Sequence, residues 1–242
     1  MSGNVVTAVV AVAAGAVASI SGFGIGSILT PLLATSIGTK LAVAVVSLPH
    51  FIGTALRFSL IREHVDRRIL LSFGITSALG GLTGALLHVW LRSTSLGYLL
   101  AALLVFAGVM GLTGMAQRMR FGRTAAWVAG ALSGAFGGLV GSQGGIRSAA
   151  LLGFDIKRDA FVATATAIGL LVDVFRMPVY AATQWRPILS VWPLMLAATC
   201  GVVLGTLLGK KVLGWIPERT FRLLIAGVIL LLGLWMFVHP GA

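Results

Sequence analysis

Cysteine is nearly absent. Cys200 is the single one in 242 residues, which excludes an intrachain disulfide and any multi-cysteine metal site. It lies in an apolar run, where a thiol packs as a small hydrophobe. Acidic residues are almost as scarce, six against 18 Lys and Arg. Charged residues make up only 10% of the chain and hydrophobic ones 58%, with a mean hydropathy of +1.02, a balance that excludes a water-soluble domain. The net charge of +12 is not gathered into a stripe. Its basic residues sit in short gaps between apolar runs, so membrane orientation explains them and nucleic acid does not. The four histidines, His50, His64, His88 and His239, lack metal-ligand spacing, and no metal or other cofactor is expected. Met1-Ser2-Gly3-Asn4 lacks a basic leader, so the segment from Val5 is expected to be retained in the membrane.

Glycine, by contrast, is abundant, and it clusters. Ser21-Gly22-Phe23-Gly24-Ile25-Gly26-Ser27 interrupts one long apolar run, and Gly137 to Arg147, reading GGLVGSQGGIR, interrupts another. Such clusters break helices, and a break within a membrane survives only where protein or a polar cavity receives the freed backbone groups. Six further runs have single-span length: Leu41–Ile61, Ile69–Leu91, Leu96–Ala116, Ala160–Ala182, Ile188–Leu208 and Phe221–Val238. Each suits a hydrocarbon core crossed by about 20 helical residues. The two interrupted runs, Val5–Ile37 and Thr124–Phe154, would give helices of roughly 46 to 50 Å at ~1.5 Å per residue, too long for one crossing and too short for two. Each is expected to fold back at its glycines as a hairpin of two shorter helices.

A shift of 119 positions aligns Gly22 with Gly141, Leu32-Leu33 with Leu151-Leu152, Arg57 with Arg176 and Arg67 with Arg186. This points to a duplication, residues 1–120 and 121–242, of one hairpin plus three spans. With both long runs treated as hairpins, Arg62, Arg67, Arg68, Arg118, Arg120, Arg123, Lys157, Arg158, Lys210, Lys211, Arg219 and Arg222 fall on one side, and Lys40, Arg92 and Arg186 on the other. By the positive-inside rule the twelve are cytoplasmic and both termini extracytoplasmic. Three crossings per repeat then make the repeats inverted. The expected fold is an all-α polytopic membrane protein of two inverted repeats.

Arg147 carries the most information, because it follows the second glycine loop deep within a membrane segment, where a charge costs at least ~2.5 kcal/mol. With Ser142, Gln143 and the amides at Gly144, Gly145 and Ile146 it would form a donor-rich cradle for a small oxyanion at a helix N-terminus. Ser21, Gly24, Gly26 and Ser27 are the counterpart in the first loop. An ion pair between Arg147 and Asp173 would instead tie the hairpin to its neighbour. Asp173 and Arg176, at i, i+3, can also bond each other. Arg57 and Arg176 lie toward span ends, which leaves both a site role and snorkelling open. Asp173 reads as a counter-ion or a proton carrier, and His50, next to Pro49, as a coupling group or a neutral histidine bonded across helices. Thr164 and Thr166 line the path or simply pack, and the six tryptophans read as an interfacial belt.

Gly22, Gly24 and Gly26 are no dinucleotide fingerprint, since no strand precedes them and no acid follows about 20 positions on. Ser27 or Ser142 with His50 would imitate an intramembrane hydrolase, yet nothing in the sequence brings them together. An enzyme is therefore not expected. A structural membrane subunit is the other alternative, but it has no need of an intramembrane arginine beside a doubled glycine break.

The SGFGIGS stretch followed by Pro31-Leu32-Leu33, the second copy GGLVGSQGG, the downstream Thr164-Ala165-Thr166 and the duplication itself together resemble the TauE/SafE family of sulfite and organosulfur-anion permeases. The resemblance spans nearly the whole chain. It implies a transporter of small sulfur anions, of the sulfite, sulfonate or thiosulfate class, in a bacterial or archaeal cell membrane. Residue chemistry alone supports only a small anion, a carboxylate included. The partners expected are that anion and the lipid bilayer, with coupled protons and a homodimer left open.

Overall fold

The computed structural model describes residues 2–115, 123–152, 154, 156–213 and 217–241. Ten helices carry these residues: α1 (Ser2–Ser21), α2 (Ile25–Ile37), α3 (Thr39–Ile61), α4 (Arg67–Trp90), α5 (Ser93–Thr113), α6 (Arg123–Val140), α7 (Gly144–Leu152), α8 (Arg158–Ser190), α9 (Trp192–Leu213) and α10 (Glu218–Val238). Among the described residues seven helices are long and apolar enough to cross a membrane. The six uninterrupted runs account for six of them. The seventh is α1, which at 20 residues spans about 30 Å by itself. The first long run does divide at its glycines into two helices, as expected, but α1 begins ahead of the run at Ser2 and so reaches span length, with a 13-residue α2 after the break. The second run divides into 18 and nine residues.

A second difference concerns α8. It continues to Ser190 instead of ending near Ala182, with one non-helical residue at Gln184. Pro187 follows within the first turn after that kink, where the missing N–H costs no hydrogen bond. Elsewhere local chemistry sets the boundaries. Asp66 caps α4 by accepting from the Arg68 and Ile69 amides at 2.9 and 3.1 Å, and a π-helical turn at Leu70–Gly74 follows.

Packing partners exchange between the first five helices and the last five. Helix α1 lies along α9 as α6 lies along α4, α3 touches α9 as α8 touches α4, and the pairs α3/α8 and α5/α10 pack on each other. Small residues allow these close approaches. Gly201, Gly205 and Gly209 meet Ala8, Val12 and Ala16 in turn, so α1 and α9 run parallel; Gly80 and Gly84 meet Ala131 and Ala135, so α4 and α6 do too. In contrast, Gly108 and Gly111 meet Leu230 and Ala226, which makes α5 and α10 antiparallel.

The ends also sort. At one end Lys40 donates from Nζ to the Val89 and Leu91 carbonyls at 2.6 and 3.0 Å, and Thr39 donates to Pro240 O at 3.3 Å. At the other, the Asp66 amide donates to Thr164 Oγ1 at 2.9 Å, which joins the basic α3–α4 segment to the start of α8. Trp90, Trp127, Trp185 and Trp192 are exposed near helix ends, as an interfacial belt requires. Arg118, Arg120 and Trp215 lie outside the described residues.

Candidate functional site

Thr166, Gly169, Asp173, Arg176 and Tyr180 recur at alternating spacings of three and four, so one face of α8 carries all five. This face is buried against α3 and the two helix breaks. Arg57 on α3 donates from Nε to Thr166 Oγ1 at 2.9 Å, and His50 Nδ1 lies 2.6 Å from Asp173 Oδ2. These two pairs fix α3 antiparallel to α8. Gly169 thereby stands level with Thr54, one turn from each pair.

A broken helix leaves the carbonyls of its last turn without partners, and in a membrane other protein groups must supply them. At the end of α1, Arg57 donates from Nη1 to Ala18 O at 2.6 Å and from Nη2 to Gly22 O at 3.2 Å. At the end of α6, Arg176 donates from Nη1 to Gly137 O at 2.7 Å, Tyr180 Oη donates to Gly138 O, and His88 Nδ1 bonds Leu139 O at 2.7 Å. The two arginines occupy matching places, since Ala18 and Gly137 differ by the same 119 positions as Arg57 and Arg176. Arg176 also binds Asp173 Oδ1 through Nε and Nη2, both at 2.8 Å. Asp173 is thus held from both sides and is 0% exposed.

The opposite polarity converges at the helix starts. Helices α2 and α7 begin directly after the breaks, and their first amides have no intrahelical acceptor. Gly24 precedes α2 and offers no side-chain cap. The two starts meet where Ser27 Oγ lies 3.1 Å from Ser142 Oγ. Only glycine permits this approach: a Cβ on Gly26 would run into the Gly141 carbonyl oxygen, and Gly141 itself has φ +70°. Around this meeting point several buried polar atoms have no hydrogen-bond partner: Arg147 Nε and Nη1, both amide atoms of Gln143, Thr30 Oγ1 and Thr54 Oγ1. Arg147 is 1% exposed and Gln143 2%, so bulk solvent does not reach these groups. The Arg147 guanidinium rests against Gly169 of the polar face of α8, and Thr30 Oγ1 faces Gly141. The result is an unpaired cation with amide, hydroxyl and helix N-terminal donors, an arrangement that can hold an oxyanion.

A family model described as "Sulfite exporter TauE/SafE" matches residues 7–236. The chain belongs to the TauE/SafE family. No curated protein and no solved structure matches it. Members of the TauE/SafE family are membrane transporters of sulfur anions, so this is an integral membrane protein with a small anion as its substrate and the bilayer as its setting.

Within this TauE/SafE chain the structure brings Arg147, Ser142, Gln143, Ser27, Gly26, His50 and Asp173 into one buried region, and leaves other site candidates in supporting places. Ser21 Oγ closes its own break, donating to Val17 O and Phe23 O at 2.9 and 2.6 Å. Gly24 (φ +129°) packs on Val17, Gly144 on Phe23 and Gly145 on Ala107. Arg57 and Arg176 do not snorkel. They are 4% and 1% exposed, because the carbonyls of α1 and α6 lie within reach and the interface does not. The alternative pairing of Arg147 with Asp173 is also absent, since the carboxylate is taken by His50 and Arg176. Thr164 and Thr166 accept from Asp66 N and Arg57 Nε, so both serve packing and capping. Among the described residues no three His, Cys, Asp or Glu come together as a metal site. Thr30, Thr54, Tyr180 and the fully buried His88 escape a reading of the sequence. For Tyr180 and Thr166 the three-and-four spacing about Asp173 is the signal that would have found them.

Proposed function

We propose that this protein is a secondary transporter of small sulfur oxyanions that works by alternating access, with Arg147 as the principal anion ligand. Gln143, Ser142, Ser27 and the first amides of α2 and α7 complete the site. The observation that carries this reading is the buried guanidinium of Arg147, whose Nε and Nη1 have no partner among the described residues, where two helix N-termini meet. A buried cation costs several kcal/mol unless compensated, and a bound anion supplies the compensation. Two discontinuous helices whose positive ends face an anionic substrate are a recurrent transporter design.

Residues 1–120 and 121–242 serve as inverted repeats that rock about the site. The antiparallel course of the equivalent helices α5 and α10, and of α3 and α8, supports this arrangement. An axis along the membrane normal would leave equivalent helices parallel. The gathering of Lys40, Val89, Leu91 and Pro240 at one end supports extracytoplasmic termini. His50 and Asp173 act chiefly to hold Arg176 and to join α3 to α8.

Flux of sulfite, thiosulfate, methanesulfonate and acetate into proteoliposomes tests the proposal. Wild-type protein is expected to move at least one sulfur anion and Arg147→Ala to lose that flux. Equal flux by both would remove Arg147 from the site, and acetate alone as substrate would replace the sulfur class by carboxylates.

A further inference from the structure

The buried charges do not balance. Arg57, Arg147 and Arg176 are at most 4% exposed, whereas Asp173, 0% exposed, is the single acid placed among them in the described residues. Of the other acids, Glu63, Asp66, Asp159 and Glu218 stand between the long helices or in the first turn of one, and Asp155 lies outside the described residues. Arginine stays protonated in proteins, so three positive charges less one negative charge leave a net +2. The helix ends do not alter this sum. The C-terminal ends of α1 and α6, negative poles, lie on Arg57 and Arg176, and the N-terminal ends of α2 and α7, positive poles, lie at the meeting point. His50 contributes nothing when neutral and only adds positive charge when protonated. The charges are close as well. Along α8 the Arg57 contact at Thr166, the Arg147 contact at Gly169, Asp173 and Arg176 fall within about 15 Å at ~1.5 Å per residue, a span over which a low-dielectric interior transmits charge effectively.

Given Arg147 as the anion ligand, on which this step rests, we infer that the site selects a divalent oxyanion over a monovalent one of the same shape. A dianion brings the buried region to neutrality, whereas a monoanion leaves one uncompensated positive charge in the membrane interior. Within the sulfur anions this favours sulfite and thiosulfate in their doubly charged forms over simple sulfonates. The unpartnered donors suit the higher charge too, since Arg147 Nε and Nη1, the Gln143 amide and the Thr30 and Thr54 hydroxyls are all without partners.

Tetrahedral anions that differ in charge supply the test. Binding of sulfate, thiosulfate, methanesulfonate and perchlorate to the detergent-solubilised full chain is measured at constant ionic strength, by calorimetry or by thermal shift. The divalent pair is expected to bind at least ~10-fold more tightly than the monovalent pair, about 1.4 kcal/mol. Equal affinities, or tighter monovalent binding, would overturn charge selection while leaving Arg147 as the ligand. No binding by any of the four, with sulfite also inert, would overturn the anion site itself. Asp173→Asn, which raises the net charge to +3, is expected to widen the divalent preference, and a narrowed preference would contradict it. The wild-type comparison decides the matter even if that variant does not fold.

Discussion

The two helix breaks are alike in how they are held and unlike in what they offer. At each, an arginine from the following long helix donates from Nη1 to an equivalent carbonyl, Arg57 to Ala18 and Arg176 to Gly137. In the helix after the first break the one buried side chain without a partner among the described residues is the Thr30 hydroxyl, whereas after the second a cation and an amide stand without full partners: Gln143 and Arg147 occupy the positions that Gly24 and Ile28 hold in the first. The shared part is scaffold, because it satisfies backbone groups that any broken membrane helix must satisfy. The unshared part is what the proposed anion site draws on, so on that proposal the two breaks share a frame and differ in the side chains set upon it.

The largest expected effect separates the two capping arginines. Arg176→Ala removes the permanent cation beside the buried carboxylate of Asp173, leaving it only His50, and takes one of two donors from Gly137 O, which keeps the Gly141 amide; it should cost about 3–5 kcal/mol. Arg57→Ala takes the donor from Gly22 O and the second donor from Ala18 O but uncovers no charge, and should cost less, about 1–3 kcal/mol. Denaturant unfolding in detergent ranks them, and an Arg57 variant at least as unstable as the Arg176 variant would break the comparison. Gly26→Ala comes next. Its Cβ meets a backbone carbonyl that cannot step aside, so a loss of about 1–3 kcal/mol is expected from overpacking, together with weaker anion binding as the breaks separate. Ligand affinity unchanged in a folded Gly26→Ala protein would show that the contact of the breaks is not part of the site. Smallest is the serine pair. Ser27→Ala and Ser142→Ala each remove the same hydrogen bond and should cost a similar ~0.5–1.5 kcal/mol, but Ser142→Ala should weaken anion binding more, since its break holds the unpartnered cation and amide. Identical affinities in the two variants would make the breaks functionally equal.

Much of the fold was legible because its signals are local. Apolar run length marks the spans, glycine clusters mark the breaks, and the 119-residue register links Arg57 to Arg176 before any packing is known. The lengths of the broken pieces were not legible. The glycines place the break near the middle of Val5–Ile37, but nothing in that run says that α1 begins ahead of it, at Ser2, and so reaches 20 residues. Counting from span ends also left open whether Arg57 and Arg176 are buried. Their environment is set by carbonyls of α1 and α6, more than 30 residues away in sequence, and only the antiparallel contact of α3 with α8 brings these together. Arg147 was the most accessible feature, because an arginine directly after a membrane glycine loop is costly in every packing arrangement. Thr30 and Thr54 carried no such mark, being ordinary threonines whose unpartnered hydroxyls appear only in the assembled structure.

The most direct test compares thermal unfolding of the wild-type protein and Arg147→Ala, with and without anion. Wild-type protein should gain about 2.7 kcal/mol at 100 times the dissociation constant. Arg147→Ala should match or exceed the wild-type stability without anion, since it removes an uncompensated buried cation, and should gain nothing when anion is added. A variant that is strongly destabilised without anion, or that retains the full anion-dependent gain, would show that Arg147 is a structural group and that the oxyanion binds elsewhere.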